Sequence, residues 1–335
     1  MQRRNLLKSV SALLALGLPG ARTAAQTPAP SSSSLPPPFN AAVMRVPVLV
    51  PPSADALADV RRRNSEAMVA AIEDVMRKTR PKPRIVVFPV LQYTSARRAV
   101  SGVPMSMVAV DLISKPLDQG IFAPVIEACR RHDCYVATST QEKVPQKDWF
   151  FHTGFIMGPE GLVLRSPKAQ AQSAPAVAYL RDIADEYKSL FGEDSIMPVV
   201  QTPVGRLACF VEGEAEVLEA SRLLASKGAE IILHTSLEHP VIPWQALKQA
   251  IGFQCHVFLL TAATSRMIYA DGKEDLGGGA STIVGPDGSI LAAKGGREEG
   301  FAVAQIDLAA IEAARKQFGR NTVPAWSLYK DLYSR

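Results

Sequence analysis

The chain has 335 residues, of which 47% are hydrophobic, 21% charged and 7% aromatic. That balance excludes a disordered, collagen-like or coiled-coil protein, and no apolar run approaches the roughly 20 residues that cross a bilayer. The formal charge of +5 does not mark a nucleic-acid binder: Arg3, Arg4, Lys8 and Arg22 precede residue 25 with no acid among them, which leaves a net +1 and no basic stripe for the rest.

The N-terminus reads MQRRNLLKSVSALLALGLPGARTAAQ. A basic start, an apolar stretch from Ser9 to Leu18, a helix-breaking Pro19-Gly20 pair and small residues near Ala25 form the three-part layout of a cleaved secretory signal. The run Arg3-Arg4-Asn5-Leu6-Leu7-Lys8 resembles a twin-arginine signal, whose translocon exports folded proteins. Residues 1–25 are therefore expected to be removed and the protein to reach the periplasm or the exterior, with no membrane contact after cleavage. A buried N-terminal helix is the alternative. Thr27 to Phe39, rich in Pro and Ser, favours extended, unpacked chain. This sets a linker over 26–42 ahead of one folded domain over 43–335.

Within that domain strand-like and helix-like segments alternate. Val43 to Val50 is β-rich, and Ser53 to Arg77 carries apolar residues at helical spacing, with Ser53 as a plausible N-cap. Arg84 to Pro89 (RIVVFP) is a short apolar strand of the kind buried on both faces. A helix over Phe122 to His132 is followed by a strand over Tyr135 to Ser139. Phe151 to Met157 and Gly161 to Leu164 flank a Gly-Pro-Glu-Gly turn and predict a hairpin. Leu207 to Val211, Ile231 to His234 and His256 to Ala262 read as strands, alternating with helices over Ala215 to Lys227 and Trp244 to Gln254. A second hairpin brackets Gly285-Pro286-Asp287-Gly288, and a strand over Val303 to Ile306 closes the pattern. Mixed sheets with helices on their outer faces follow: a layered α/β domain.

Cys129, Cys134, Cys209 and Cys255 are too few and too scattered for a disulfide scaffold in a chain of this size. Cys129 and Cys134 either join in an oxidising compartment or serve as small core residues. No CxxC and no metal-spaced His pair occurs, so neither zinc nor any other metal is indicated.

Several of these segments, in this order, resemble the carbon–nitrogen hydrolase (nitrilase) superfamily over roughly Val43 to Tyr329. They are RIVVFPV from Arg84, MGPEGLVLRSPK from Met157, and TPVGRLACFVEGEAEVLEASRLLASKGAEIILHTS from Thr202. PWQALKQAIGFQCHVFLLTAATS and STIVGPDGSILAAKGGREEGFAVAQIDL, the latter starting at Ser281, complete the set. The resemblance implies a four-layer α-β-β-α sandwich, usually paired into a homodimer or higher homo-oligomer, and no cofactor. It also implies hydrolysis of amides or nitriles, or acyl transfer, by a Glu, a Lys and a Cys. The thiolate attacks carbon, the carboxylate takes the thiol proton, and the ammonium steadies the developing anion.

The chain departs from that pattern. Where the family reads Phe-Pro-Glu, this sequence reads Phe88-Pro89-Val90, and valine accepts no proton. Lys168 follows the Gly161 turn one residue sooner than the family pattern and is preceded by Pro167 rather than Arg. A solvated loop lysine is the other reading of that position. Counted without gaps from Gly205, the nucleophile position falls on Glu212, with Glu214 as the acid two further on. Cys209 would need three residues deleted before it and restored after it, and along a regular strand it faces away from position 212. It reads as a core thiol and as the alternative nucleophile. The segment after Lys168 has no acid at the position of the family's second glutamate. His234, at a strand end, could line the pocket or serve the structure, Glu142 reads as a solvated loop carboxylate, and Glu298 and Glu299 as a charged turn.

The expectation is a pocket holding Val90, Lys168 and Glu212, with a Lys168–Glu212 ion pair replacing the family's chemistry. Two functions follow: a catalytically silent homologue that binds a small molecule or partner, or an active amidohydrolase with a rearranged site.

Overall fold

The computed structural model describes residues 35–53, 55–90, 110–111, 120–144, 147, 149–169, 180–237, 242–269, 271–296 and 298–318. The expected export signal and most of the expected Pro/Ser-rich linker lie outside them.

In chain order the strands and helices begin with β1 (Phe39–Arg45), β2 (Val48–Leu49), α1 (Leu57–Lys78), β3 (Pro83–Val87) and β4 (Val110–Asp111). Next come α2 (Ala123–His132), β5 (Tyr135–Val144), β6 (Trp149–Gly158), β7 (Gly161–Pro167) and α3 (Leu180–Phe191). Then follow β8 (Val200–Thr202), β9 (Gly205–Val211), α4 (Leu218–Ser226), β10 (Ile231–Ser236), α5 (Ile242–Cys255) and β11 (Phe258–Ala263). The last are β12 (Arg266–Ile268), β13 (Glu274–Leu276), β14 (Ser281–Val284), β15 (Ile290–Lys294), β16 (Gly300–Ile306) and α6 (Ala309–Phe318).

Two mixed sheets form the body. The first runs β16-β1-β3-β5-β6-β7, with β4 also on β5, and the second runs β15-β14-β11-β10-β9-β8. Each has a parallel centre (β1, β3, β5 and β9, β10, β11) and antiparallel hairpins at its edge. A small third sheet joins β13, β12 and β2.

Strand alternation sorts the side chains into layers. Ala41, Val43, Ile85, Val87 and Ala137 of the first sheet meet Leu207, Cys209, Ile231, Leu233 and Leu260 of the second in one buried cluster. The opposite face of the first sheet packs Ala42, Met44, Val86 and Val136 on Met68, Ile72 and Val75 of α1 and Val125, Ile126 and Cys129 of α2. The opposite face of the second packs Ala208, Phe210, Ile232 and Leu259 on Leu224 of α4 and Ile251 and Cys255 of α5. The result is helix, sheet, sheet, helix. This is the four-layer arrangement expected from the sequence.

Local details differ. β1 starts at Phe39, so residues 39–42 belong to the sheet and not to the linker. Ala41 and Ala42 are fully buried between neighbouring layers, as their small apolar side chains require. α1 starts at Leu57, its first buried apolar residue, and Ala56 rather than Ser53 stands at the N-cap without a side-chain cap. Cys129 and Cys134 are unjoined buried thiols, as is Cys255. No described helix is long and apolar enough to cross a membrane.

Candidate functional site

β9 ends at Val211, and the chain enters a 3₁₀ turn over Glu212–Glu216. Glu212 opens that turn with φ +48°, a left-handed conformation that a side-chain-bearing residue adopts at a cost of about 1 kcal/mol or more. Two neighbouring strands hold it there. His234 of β10 donates from Nε2 to the Glu212 carbonyl at 3.0 Å, and its Nδ1 lies 3.1 Å from Thr261 Oγ1 on β11. A carbonyl only accepts, so the proton sits on Nε2 and Nδ1 accepts from the threonine hydroxyl. Burial pushes the His234 pKa down to about 3, against the pull of the Glu212 carbonyl and with a further push from Lys248 and Lys168. His234 is therefore a fully buried neutral brace inside β10, not a group at the strand's end.

Glu214 ties a second segment to this turn. One carboxylate oxygen accepts the N–H of Ala169 at 2.7 Å and the other the N–H of Val211 at 3.0 Å. Burial raises its pKa to about 7, opposed by those two N–H groups and by the charge of Lys168. The loop leaving β7 is thus stapled to the end of β9, and Lys168, one residue before Ala169, comes with it. The Lys168 N–H also bonds the His152 carbonyl at 2.8 Å. Its side chain is buried, at 8% exposure. This is not a solvated loop lysine.

His152, on β6, was not singled out by the sequence, where it is one polar residue within FFHTGF. Its Nε2 lies 3.4 Å from Ser139 Oγ on β5. Burial pushes its pKa down to about 4, with Glu212 pulling it up and Lys168 pushing it further down. Both charged groups therefore act on this one neutral imidazole. They do not reach each other: among the described residues no hydrogen bond or ion pair within 4.0 Å joins Lys168 to Glu212. The expected direct ion pair is absent because backbone bonds, rather than mutual attraction, fix both residues.

Val90 is buried in an apolar cluster with Val50, Val211, Leu237 and Met267, edged by Tyr269. Its N–H faces the Ser236 carbonyl at 3.5 Å. Val90 thus packs in the core with Val211, the residue before Glu212.

Glu142 corrects the sequence reading. It is in β5, fully buried, and not in a solvated loop. Arg165 Nε lies 2.7 Å from its Oε1, and Thr153 Oγ1 donates to its Oε2 at 2.8 Å. The polar run Gln141-Glu142-Lys143 looked like a loop because its partners come from β6 and β7. Glu298 and Glu299 do form charged surface pairs, with Lys294 at 3.0 Å and Arg266 at 2.6 Å.

Cys209 is fully buried between the sheets, and burial raises the pKa of its thiol well above the ordinary range. Gly154 of β6 faces it: a Cβ added there would lie 2.6 Å from the sulfur and 3.0 Å from a Val211 methyl. Gly154→Ala is expected to cost about 1–3 kcal/mol by overpacking. In a Cys209→Ala background the cost should shrink measurably, because the sulfur that clashes is gone. Urea unfolding of the four-member cycle checks this, and strictly additive effects would mean that Cys209 points elsewhere.

Chemically, the site presents one ammonium, one carboxylate and a neutral imidazole beside apolar residues, with no thiol at the turn. Among the described residues no group of three His, Cys, Asp or Glu side chains is arranged to hold a metal.

Comparison with known proteins agrees with this architecture. The family model described as carbon-nitrogen hydrolase matches residues 61–316. The bifunctional nitrilase/nitrile hydratase NIT4B of Lupinus angustifolius is 28% identical over 153 residues, which are 41% of this chain and only 43% of that relative's length. Among solved structures, Nit3 of Saccharomyces cerevisiae, a member of branch 10 of the nitrilase superfamily, superposes with a TM-score of 0.67 at 17% identity. That match covers 86% of this chain and 97% of Nit3. A point mutant of the amidase from Nesterenkonia sp. AN1, seen with acrylamide added to its active-site cysteine, gives 0.57 at 16% identity over 84% of this chain and 99% of its own. Likeness at such identity speaks for the fold alone.

Proposed function

The chain belongs to the carbon–nitrogen hydrolase family, and from that premise we propose that it is a non-hydrolytic member, a small-molecule binder that keeps the family's fold without its thiol chemistry. One observation carries the reading: the strained first residue after β9 is Glu212, while Cys209 is sealed between the sheets. A carboxylate is a weak nucleophile toward an unactivated amide. The apolar setting of Val90 supports the same reading, since no proton acceptor stands there. Buried structural thiols are also inert compared with catalytic ones.

Ammonia release from a panel of amides and nitriles tests it. Wild type and Cys209→Ala should both match the buffer blank, and Glu212→Cys alone should do the same, because Val90 supplies no base. Only the double change Val90→Glu with Glu212→Cys restores both missing groups, so any recovered turnover is expected there. The recovery will be small, since a misplacement of about 1 Å can cost roughly a hundredfold. Robust wild-type turnover abolished by Cys209→Ala would establish the active amidohydrolase instead.

We also propose that the protein is exported, on the strength of Arg3-Arg4 ahead of the apolar stretch. Changing both arginines to lysine should leave the folded protein in the cytoplasm, and unimpeded export would point to the general secretory route.

A further inference from the structure

The end of α2 brings two thiols together. Asp133 stops the helix in the left-handed region, at φ 49° and ψ 54°, and its N–H returns to the Cys129 carbonyl. The N–H of Cys134 reaches the same carbonyl at 3.2 Å. A helix that turns back in this way sets the side chain two residues past its end against one from its last turn. Here both of those side chains are cysteines, Cys129 on α2 and Cys134 directly before β5. With standard backbone lengths, the 3.2 Å bond keeps the two Cα atoms within about 7 Å, the outer limit for a disulfide that needs no backbone movement. Both residues are fully buried in one apolar cluster with Val136, Phe155 and Met157. Cys209 and Cys255 pack in two other clusters and do not compete for either sulfur once the chain is folded.

The side chain of Cys134, and after it burial, push the Cys129 thiol well above its ordinary range. The thiolate is the species that attacks a disulfide, so the folded pair is both sealed from an oxidant and slow to react with one. Before α2 packs on the first sheet, the same two thiols are open to solvent and near each other in sequence.

We propose that Cys129 and Cys134 are a disulfide site, which closes when the chain folds in contact with an exchangeable disulfide and stays a sealed dithiol when folding comes first. One thiolate attacks the S–S bond of the oxidant, whose other half leaves as a thiol. The second thiolate attacks the resulting mixed disulfide at the protein sulfur and releases the remaining half as a second thiol. Two protein S–H bonds are lost and one S–S bond is gained, while two electrons and two protons pass to the oxidant. A chain exported in the folded state keeps the dithiol, and one threaded unfolded into an oxidising compartment acquires the bond. The site is independent of whether the protein hydrolyses anything.

Oxidised glutathione is the probe. The full chain is unfolded and reduced in urea, then refolded with either oxidised glutathione or dithiothreitol, quenched in acid, alkylated and digested with trypsin. Trypsin cuts after Arg130 and Arg131, between the two cysteines, so a disulfide holds the Cys129 peptide to the peptide of residues 132–143. That linked pair should appear after refolding with oxidised glutathione and be absent after refolding with dithiothreitol, with Cys209 and Cys255 unlinked in both. Reduced protein that is already folded, given the same oxidant for the same time, should stay unlinked. Cys134→Ser should leave Cys129 as a glutathione adduct, and should that variant fail to fold, the wild-type peptides decide alone. A comparison that needs no refolding sets cytoplasmic protein, expected as the dithiol, against the chain routed through the general secretory pathway, expected as the disulfide. Native protein from the oxidising arms with Cys129 and Cys134 unlinked would overturn the proposal. So would a link that forms as fast in the folded protein as during refolding.

Discussion

Replacing Glu142 with leucine is expected to remove about 3–5 kcal/mol of stability, although the substitution is hydrophobic and the site is fully buried. The carboxylate holds Arg165 at 2.7 Å and accepts the Thr153 hydroxyl at 2.8 Å. Without it, the Arg165 guanidinium is left stacked 4.1 Å from the Phe191 ring centre and 5.9 Å from that of Tyr187, with no compensating charge. Arg165→Leu should cost a similar amount, since it strands an anion instead. The double variant should recover most of the loss, because two apolar side chains of suitable volume leave neither charge buried alone. Urea unfolding of the three variants tests this, and two additive losses would show that the groups do not act as a pair. The effect should also reach the site. Arg165 is on β7 three residues before Lys168 and carries α3 on its face through Tyr187 and Phe191, so either single variant should loosen the loop that presents the lysine.

Acid should destabilise the protein in a way traceable to His234. Its pKa falls from 6.5 to about 3 on folding, so the unfolded chain takes up a proton that the folded chain refuses. The associated stability is complete above pH 6.5 and is lost as the pH falls from there toward 3. One proton over the two units from pH 6.5 to 4.5 amounts to about 2.7 kcal/mol. His152, depressed to about 4, acts in the same direction. Glu214 acts in the opposite one: its folded pKa of about 7 lies above the unfolded 4.5, so its contribution is present below pH 4.5 and lost as the pH rises through 7. Across the shared window two histidines oppose one carboxylate, and the net effect of these three is lower stability in acid. His234→Asn keeps a donor toward the Glu212 carbonyl and an acceptor for Thr261 but cannot titrate. Its unfolding free energy should fall less steeply below pH 6.5 than that of wild type, the gap between the two closing by about 2–3 kcal/mol by pH 4.5. Parallel curves would mean that His234 accepts a proton without breaking its brace.

The layers were legible where apolar runs and turn residues carry them. IVVFP and LACFV are buried on both faces and cannot be placed anywhere but the sheet interior, and Gly161 at φ +112° marks its hairpin because the turn needs a residue without a Cβ. Glu212 could be placed just past the strand because the apolar run that Gly205 opens ends at Val211. What remained hidden depends on pairing between distant strands. Glu142 looked solvated because neither Arg165 nor Thr153 is near it in sequence. His152 became a site residue only when β6 paired with β5 and set it 3.4 Å from Ser139. Glu214 was noted only as a family acid, and its stapling of Ala169 requires the loop after β7 to fold back on β9. α3, α6 and the strands β12 and β13 were not read at all: Pro175 and small residues mask the approach to α3, and three-residue strands carry no period.

The place of β1 has a consequence for how the chain comes to be folded. Its seven residues pair with β16 from Phe39 opposite Ile306 to Arg45 opposite Gly300, while its other edge pairs with β3. Among the described residues, the first strand to be made is thus clasped by the last. Loop-closure entropy grows only logarithmically with length, so this long-range closure adds little to the equilibrium cost, but it fixes the timing. Until Gly300 to Ile306 has been synthesised, β1 keeps one edge of unpaired N–H and C=O groups that invites pairing with another nascent chain. The first sheet can therefore close only after β16 has been made.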